Sequence, residues 1–375
     1  MELGLATFAD RGEVSAEQRM RNLLEEAELA DELGLDVFAV GEHHRSDFVV
    51  SSPAVVLAAI AARTKRIRLS SAVTVLSSDD PVRVFEEFAQ VDLLSGGRAE
   101  IMAGRGSFTE SFPLFGYDLA HYDELFAEKL ELLLALRDQN PVTWTGRHRP
   151  GLSNAGVWPR PVQESIPVWI AVGGSPQSVV RAGTLGLPLT LAIIGGQPAR
   201  FAPLLELYRR AFEASDHATA PIVAINTHAF VARTRAQADS AFAAPYLGMM
   251  NRIGRERGWP PSGRGEYEAL AAPTGAVAVG TPEQVAEKIL YEHDLFGHER
   301  YIAQMSVGAV AHADVLRSIE LFGTEVAPLV RAEVARREPG GRLSGAEPGG
   351  SAEGLVDGVE VSADGGRLGQ VQRAS

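Results

Sequence analysis

The chain has 375 residues, 45% of them hydrophobic and 22% charged, which suits a folded protein of one large or two smaller domains. Lys and Arg total 35 against 48 Asp and Glu, and the net charge of −13 argues against nucleic acids and anionic membrane surfaces as partners. With no cysteine, disulfides, thiolate nucleophiles, iron–sulfur clusters and Cys-ligated zinc are all excluded, in accord with a cytoplasmic location.

The opening Met-Glu-Leu-Gly-Leu-Ala-Thr-Phe has no basic stretch ahead of an apolar one. It reads as a strand, Leu3–Phe8, and not as a signal peptide. Arg19–Leu33 then places Met20, Leu23, Leu24, Ala27 and Ala30 on one helical face. Gly34 stops that helix, and Leu35–Val40 reads as a buried strand. Ile67–Leu76 is the next strand. The helix Phe85–Leu94 ends at Ser95-Gly96-Gly97 and is followed by the strand Arg98–Ala103. Pro167–Val172 is a strand, Val179–Leu185 a helix closed by Gly186, and Leu187–Ile194 a strand again. Ile222–Val231 is a strand, and the helix Val285–Phe296 leads through Gly297 into the strand Tyr301–Met305. No run approaches the ~18 apolar residues that a bilayer span needs.

Eight strands alternating with helices imply a parallel sheet. Eight such units over residues 1–337 fit an α/β fold, a (β/α)8 TIM barrel with insertions in its βα loops. An open doubly wound sheet is the alternative. Against it, the turn Phe8–Gly12 has one glycine where a dinucleotide fingerprint has three. Residues 338–375 hold ten glycines and no aromatic residue, a composition predicted to give a disordered tail with at most a weak hairpin at Leu355–Val361. Two segments, Gly106–Gly116 and Pro141–Ser165, are rich in Gly, Pro and aromatics. Their Phe108, Phe112, Phe115, Trp144 and Trp158 either wall an apolar pocket or pack the insertions onto the barrel.

Candidate chemistry collects at strand ends. Glu42-His43-His44 follows the second strand, where a histidine can serve as general base or hydrogen-bond donor. Neighbouring residues on extended chain point opposite ways, so the three do not converge on one metal ion. Gly104-Arg105-Gly106 offers close backbone approach and a guanidinium fork for phosphate or carboxylate. In Gly173-Gly174-Ser175-Pro176-Gln177-Ser178, Ser175 is placed to cap a helix that starts at Pro176. The free amides there, with the hydroxyls of Ser175 and Ser178, form either an anion-binding helix start or only a well-capped helix. Ala72-Val73-Thr74-Val75 is smooth enough to lie against a flat ring system, as are many buried strands. Thr281-Pro282-Glu283 reads mainly as another helix start.

Taken in order, these motifs, together with Asp80-Pro81-Val82-Arg83 and Leu94-Ser95-Gly96-Gly97-Arg98, resemble the luciferase-like flavin monooxygenases, and the single-chain type in particular. The resemblance covers nearly all of residues 1–337. It implies a (β/α)8 barrel that binds FMN at the strand C-termini. His43 matches the family's catalytic histidine, and Ala72, Val73 and Thr74 match the strand against the isoalloxazine. Arg105, Gly173, Gly174, Ser175 and Ser178 match the phosphate-binding groups. The implied reaction uses reduced FMN and O2, through a flavin C4a-peroxide, to oxygenate a small organic substrate lying near Phe8, Trp144 and Trp158. The flavin would come reduced from a separate NAD(P)H:flavin reductase, and the chain would form a homodimer. Light-emitting members carry a reactive cysteine where Gly104 stands here, which argues against aldehyde luminescence. Three other readings stay open. They are an F420-dependent hydride-transfer enzyme on the same barrel, a non-catalytic flavin-binding protein, and a metal-dependent hydrolase using His43 and His44.

Overall fold

The computed structural model describes residues 1–337, so the tail 338–375 and the hairpin at 355–361 lie outside the described residues. The chain begins with β1 (Glu2–Thr7), α1 (Ala16–Glu32), β2 (Val37–Val40), α2 (Pro53–Ala61), β3 (Arg68–Ser71), β4 (Thr74–Val75), α3 (Pro81–Ser95) and β5 (Ala99–Gly104). The first insertion holds the short α4 (Ser111–Leu114), α5 (Tyr122–Asp138) and an antiparallel hairpin of β6 (Val142–Trp144) and β7 (Leu152–Ala155). Then come β8 (Val168–Val172), α6 (Pro176–Thr184), β9 (Leu189–Ile193), α7 (Ala202–Ala214) and β10 (Val223–Val231). A second insertion follows with α8 (Arg235–Arg257), α9 (Arg264–Leu270) and β11 (Ala278–Gly280). The chain closes with α10 (Pro282–Phe296), β12 (Arg300–Gln304), α11 (His312–Leu321) and α12 (Ala327–Arg337).

Eight parallel strands close into a ring in the order β1, β2, β3, β5, β8, β9, β10, β12 and back to β1. This is the predicted barrel, and each of the eight predicted strands is one of its staves. Ile67–Leu76 is not one unbroken strand. The Ser71 hydroxyl takes the place of a backbone rung, donating to Met102 O and accepting from Met102 N, both at 3.1 Å. Past that point the chain resumes as β4, which pairs only with β5. The Ala72–Val73 peptide between them is cis. Beyond the eight, β11 adds to β10 outside the ring.

Helices are placed by local chemistry that the sequence displays. Asp80 Oδ1 accepts from Val82 N at 2.9 Å to cap α3, and Thr281 with Gln284 forms a reciprocal capping box on α10. Gly96 and Gly297 end α3 and α10 at φ 69° and 57°, backbone angles that cost other residues energy. The main apolar core lies between strands and helices, with Leu57, Leu69, Phe85, Ile170 and Ile225 all buried. Inside the ring, Ala6, Val37, Ala39, Met102, Trp169, Ala224 and Ile302 pack together. None of the helices described is long and apolar enough to cross a membrane.

The strand N-termini enclose an ion cluster. Arg300 Nη1 and Nη2 donate to Glu100 Oε2 and Oε1 at 2.6 and 3.1 Å, and its Nε donates to Glu2 Oε2 at 2.6 Å. Arg68 also donates to Glu100. Burial alone would raise the Glu100 carboxyl, but the charges and bonds of Arg300 and Arg68 outweigh it and hold it below its ordinary value. Removing one member of such a cluster leaves a buried charge uncompensated. Glu100→Gln is expected to lower unfolding free energy by about 3–5 kcal/mol, measured by urea denaturation. A loss below about 1 kcal/mol would mean that the cluster behaves like a surface pair.

Candidate active site

The strand C-termini surround a cavity of about 600 Å³, a size suited to a cofactor with a small substrate. Every strand of the ring except β12 lends residues to it, from itself or from the loop that follows. Phe8, Glu42, His43, His44, Ala72, Val73, Val75, Gly104, Arg105, Gly173, Gly174, Ser175, Ser178, Ala192 and His228 all line it. Most of the site residues read from the sequence are therefore brought into one space.

His43 stands in an aromatic box. Its ring meets Phe48 at 4.1 Å between centroids, and Phe8 and Phe108 edgewise at 5.1 Å each. Its Nε2 is buried with no hydrogen-bond partner. Burial lowers its pKa to about 3, against only weak opposition from Asp47, so the imidazole is neutral at pH 7. His44 has different partners. Its Nε2 lies 2.9 Å from Glu42 Oε1, and that bond raises its pKa. The second Glu42 oxygen accepts from Val75 N at 2.8 Å, tying the β2 turn to β4.

The opposite wall is aliphatic. Gly104 lets it close in, because a Cβ there would meet Val73 Cγ2 at 2.7 Å. Thr74 departs from the expectation. It sits beside the wall but does not line the cavity, and its buried Oγ1 has no partner.

At the far end α6 begins. Ser175 Oγ accepts from Ser178 N at 3.4 Å as the cap, and Ser178 is buried. Gly174 takes φ 142°, which favours glycine, and a Cβ at Gly173 or Gly174 would meet nothing within 4 Å. The cradle is thus open space rimmed by backbone. Arg105 borders it, bound to Asp123 and lying 5.1 Å from the Tyr122 ring centroid. Arg181, one turn into α6, has a buried Nη1 without a partner and adds positive charge near Arg105. Open amides, hydroxyls and the Arg105 guanidinium fit a phosphate, and the aliphatic wall beside a neutral histidine fits a flat apolar ring.

Two expected substrate contacts are corrected. Trp144 lies on β6, and its Nε1 donates to Glu131 Oε1 at 3.2 Å, away from the cavity. Trp158 is 66% exposed and also outside it. The reason is topological: Pro141–Ser165 follows helix α5 and feeds the start of β8, so it does not open at the strand C-termini. Of the other aromatics, Phe112 is buried against Tyr122 and Phe115 lies 5.0 Å from His44.

The structure adds residues that the sequence did not single out. His228 on β10 is fully buried in the cavity floor, and both its ring nitrogens lack partners. Burial lowers its pKa to about 4. Met249, Met250, Ile253 and Arg257 of α8, with Trp259, form the outer wall. Among the described residues, one group could hold a metal ion, His121, Glu124 and His148, and it includes neither His43 nor His44.

Residues 1–299 match the family model described as luciferase-like monooxygenase. The chain is 29% identical over 300 residues to the N-acetyl-S-alkylcysteine monooxygenase of Bacillus subtilis (strain 168), which covers 74% of this chain and 84% of that one. It superposes on the monooxygenase RslO1 from Streptomyces bottropensis with a TM-score of 0.77 and 25% identity, covering 88% of this chain and 99% of that one. The FMN-bound oxygenating constituent of 3,6-diketocamphane monooxygenase from Pseudomonas putida shares the fold at a TM-score of 0.73 and 20% identity, with 88% and 98% covered. F420-dependent proteins share it too. The chain belongs to the luciferase-like monooxygenase family and is an enzyme of that flavin-dependent oxidoreductase class.

Two cavity histidines held neutral have a consequence for stability. Well above pH 6.5, from about pH 8, neither folded nor unfolded chain protonates them appreciably, so they add no pH dependence there. Below it, the unfolded chain takes up protons that the folded chain refuses, and stability falls as pH drops towards about 4. Each should cost roughly 2 kcal/mol between pH 7 and pH 5. Urea denaturation at the two pH values is expected to show a smaller drop in His228→Asn than in the wild type. Equal drops would mean that His228 is not held neutral.

Proposed function

We propose that this enzyme uses reduced FMN and O2 to insert one oxygen atom into a small organic substrate. One observation carries the reading: a single cavity joins a neutral, unpartnered imidazole, an aliphatic wall and an anion cradle. Gly173, Gly174, Ser175, Ser178 and Arg105 would hold the phosphate. Ala72 and Val73 would lie against the isoalloxazine, with Thr74 just behind them. When bound, reduced flavin supplies the two electrons that activate O2, one oxygen atom going to the substrate and the other leaving as water. His43 holds or moves a proton at Nε2, and its neutrality makes it competent for either task at pH 7. Phe8, Phe48 and Phe108 keep water from that proton. The substrate would lie beside Phe8, against the wall built by α8. A small organic substrate also fits the monooxygenase names of the relatives. A separate NAD(P)H:flavin reductase would supply the reduced flavin, and we expect a cytoplasmic homodimer.

The test is a single turnover. The protein is mixed anaerobically with reduced FMN, O2 is admitted, and flavin absorbance is followed. Reoxidation should be slower than that of free flavin. Arg105→Met is expected to weaken FMN binding about tenfold or more. His43→Ala should bind FMN within about threefold of wild type while diverting O2 to hydrogen peroxide. Reoxidation indistinguishable from free flavin, with tight binding of F420 instead, would overturn the reading in favour of hydride transfer. Neither cofactor binding would leave a different role for the cavity.

A further inference from the structure

Two guanidiniums line the cavity, Arg105 and Arg257, and two more, Arg45 and Arg252, stand over its aromatic residues Phe108 and Phe48; of these four, among the described residues, all but Arg257 have carboxylate partners. Arg45 is bound by Glu256 at 2.7 and 2.5 Å and by Asp47 at 3.1 Å. Arg252 is bound by Asp47 at 3.0 Å and Asp10 at 3.4 Å. Arg105 has Asp123. Arg257, the last residue of α8, pairs with no carboxylate among the described residues. Its one protein hydrogen bond there is from Nη2 to Ser107 O at 3.1 Å.

Its placement is nonetheless fixed. The guanidinium lies 5.3 Å from the Phe108 ring centroid and 5.2 Å from that of Trp259. Aromatic neighbours hold its plane and leave its remaining N–H groups free. Phe108 also touches the His43 ring at 5.1 Å, so one aromatic ring separates the unpaired cation from the reacting end of the cavity. Met249, Met250 and Ile253 of the same helix, α8, line the cavity as well. The acidic groups nearby do not compete for the guanidinium: Glu110, which also lines the cavity, exerts its charge on His44, not on Arg257. Glu42 spends its oxygens on His44 and Val75 N, and Glu256 spends its own on Arg45.

We propose that the substrate is an organic anion, an apolar body bearing a carboxylate a few bonds from the oxidised atom, and that Arg257 binds that carboxylate. This rests on the reading of the cavity as the site of oxidation. The apolar body would lie on the methionine and isoleucine wall, which leaves the atom to be oxidised beside His43. A fork between two aromatic planes selects a planar carboxylate over a neutral amide of the same shape.

The probes are phenylalkanoates from phenylacetate to 6-phenylhexanoate, each paired with its primary amide. Binding is measured by calorimetry on the full chain, flavin-free and again saturated with FMN. At least one acid is expected to bind about tenfold or more tighter than its amide. Arg257→Gln should bring acid and amide within about twofold while leaving the amide affinity unchanged, and Arg257→Lys should keep part of the preference. The FMN dissociation constant of Arg257→Gln should stay within about threefold of wild type. No acid binding anywhere in the series, no preference for acid over amide, or a preference that survives in Arg257→Gln would each overturn the proposal. So would a larger loss of FMN affinity, because the guanidinium would then serve the cofactor. The acid-to-amide ratio of the flavin-free protein separates this test from the FMN reading, since it stands whether or not FMN binds.

Discussion

A closed ring of parallel strands must fill its own interior, and this barrel fills its two ends differently. At the strand N-termini Arg300, Glu100, Glu2 and Arg68 interlock, with Arg300 also 4.3 Å from the Trp169 ring centroid. Buried charge is tolerated there because each carboxylate has a fixed partner. At the C-termini the strands run out in small residues. Gly41 sits where a Cβ would meet Phe8 Cδ1 at 2.8 Å, and Gly104 where it would meet Val73. Glycines let Phe8 and Val73 approach, and those side chains rim a space that no protein atom fills. The ion cluster and the cavity are thus two solutions to one packing problem.

The same exclusion of water that shapes the cavity sets its chemistry. His43 and His44 are neighbours in sequence with opposite electrostatics. Burial among Phe8, Phe48 and Phe108 lowers His43, while the Glu42 carboxylate raises His44. A pair of titratable groups driven apart by their surroundings is a common way to divide proton-handling roles. Asp10, at the end of β1, shows the same competition. Burial raises it to about 6, against the opposing charges of Arg252 and Arg19. His228 is lowered by burial alone, and its two unpartnered nitrogens remain available to whatever lies in the cavity.

What the sequence displayed was periodicity and punctuation. Strands such as Ile222–Val231 are continuous apolar runs bounded by turn residues, and helices such as Pro282–Phe296 announce themselves through Thr281 and Gly297. The residues at strand ends were legible because a barrel assigns them one common location. Two things were not. Trp144 and Trp158 carry the composition of a binding loop, and only the chain path around α5 shows that they lie elsewhere. α8 was missed because Pro245 interrupts it and because it buries Phe242, Tyr246 and Met249 in a separate cluster with Tyr267, not in the main core. Its contribution to the cavity depends on a tertiary contact that no local pattern encodes. Ser71, which splits the third stave, is one hydroxyl within an otherwise ordinary strand, and its bonds to Met102 exist only after the sheet has formed.

The position of α8 separates two kinds of residue that line the cavity, those carried by the ring and those carried by an insertion. His43, Val73, Arg105 and Ser178 all stand at or just beyond strands of the ring, whose register is fixed by neighbours on both sides. α8 belongs to no stave. It is fastened to the βα loops by Arg45–Glu256 and by Arg252 with Asp47 and Asp10, and it presents Met249, Met250, Ile253 and Arg257 inward. Those inward side chains take no part in the ring's hydrogen bonds or in the capped start of α6. Replacing a stave residue such as Gly104 would push Val73 into the cavity. Under the proposed function, substrate preference would vary along the inward face of α8, within the limits set by its ion pairs and by the packing of Phe242, Tyr246 and Met249.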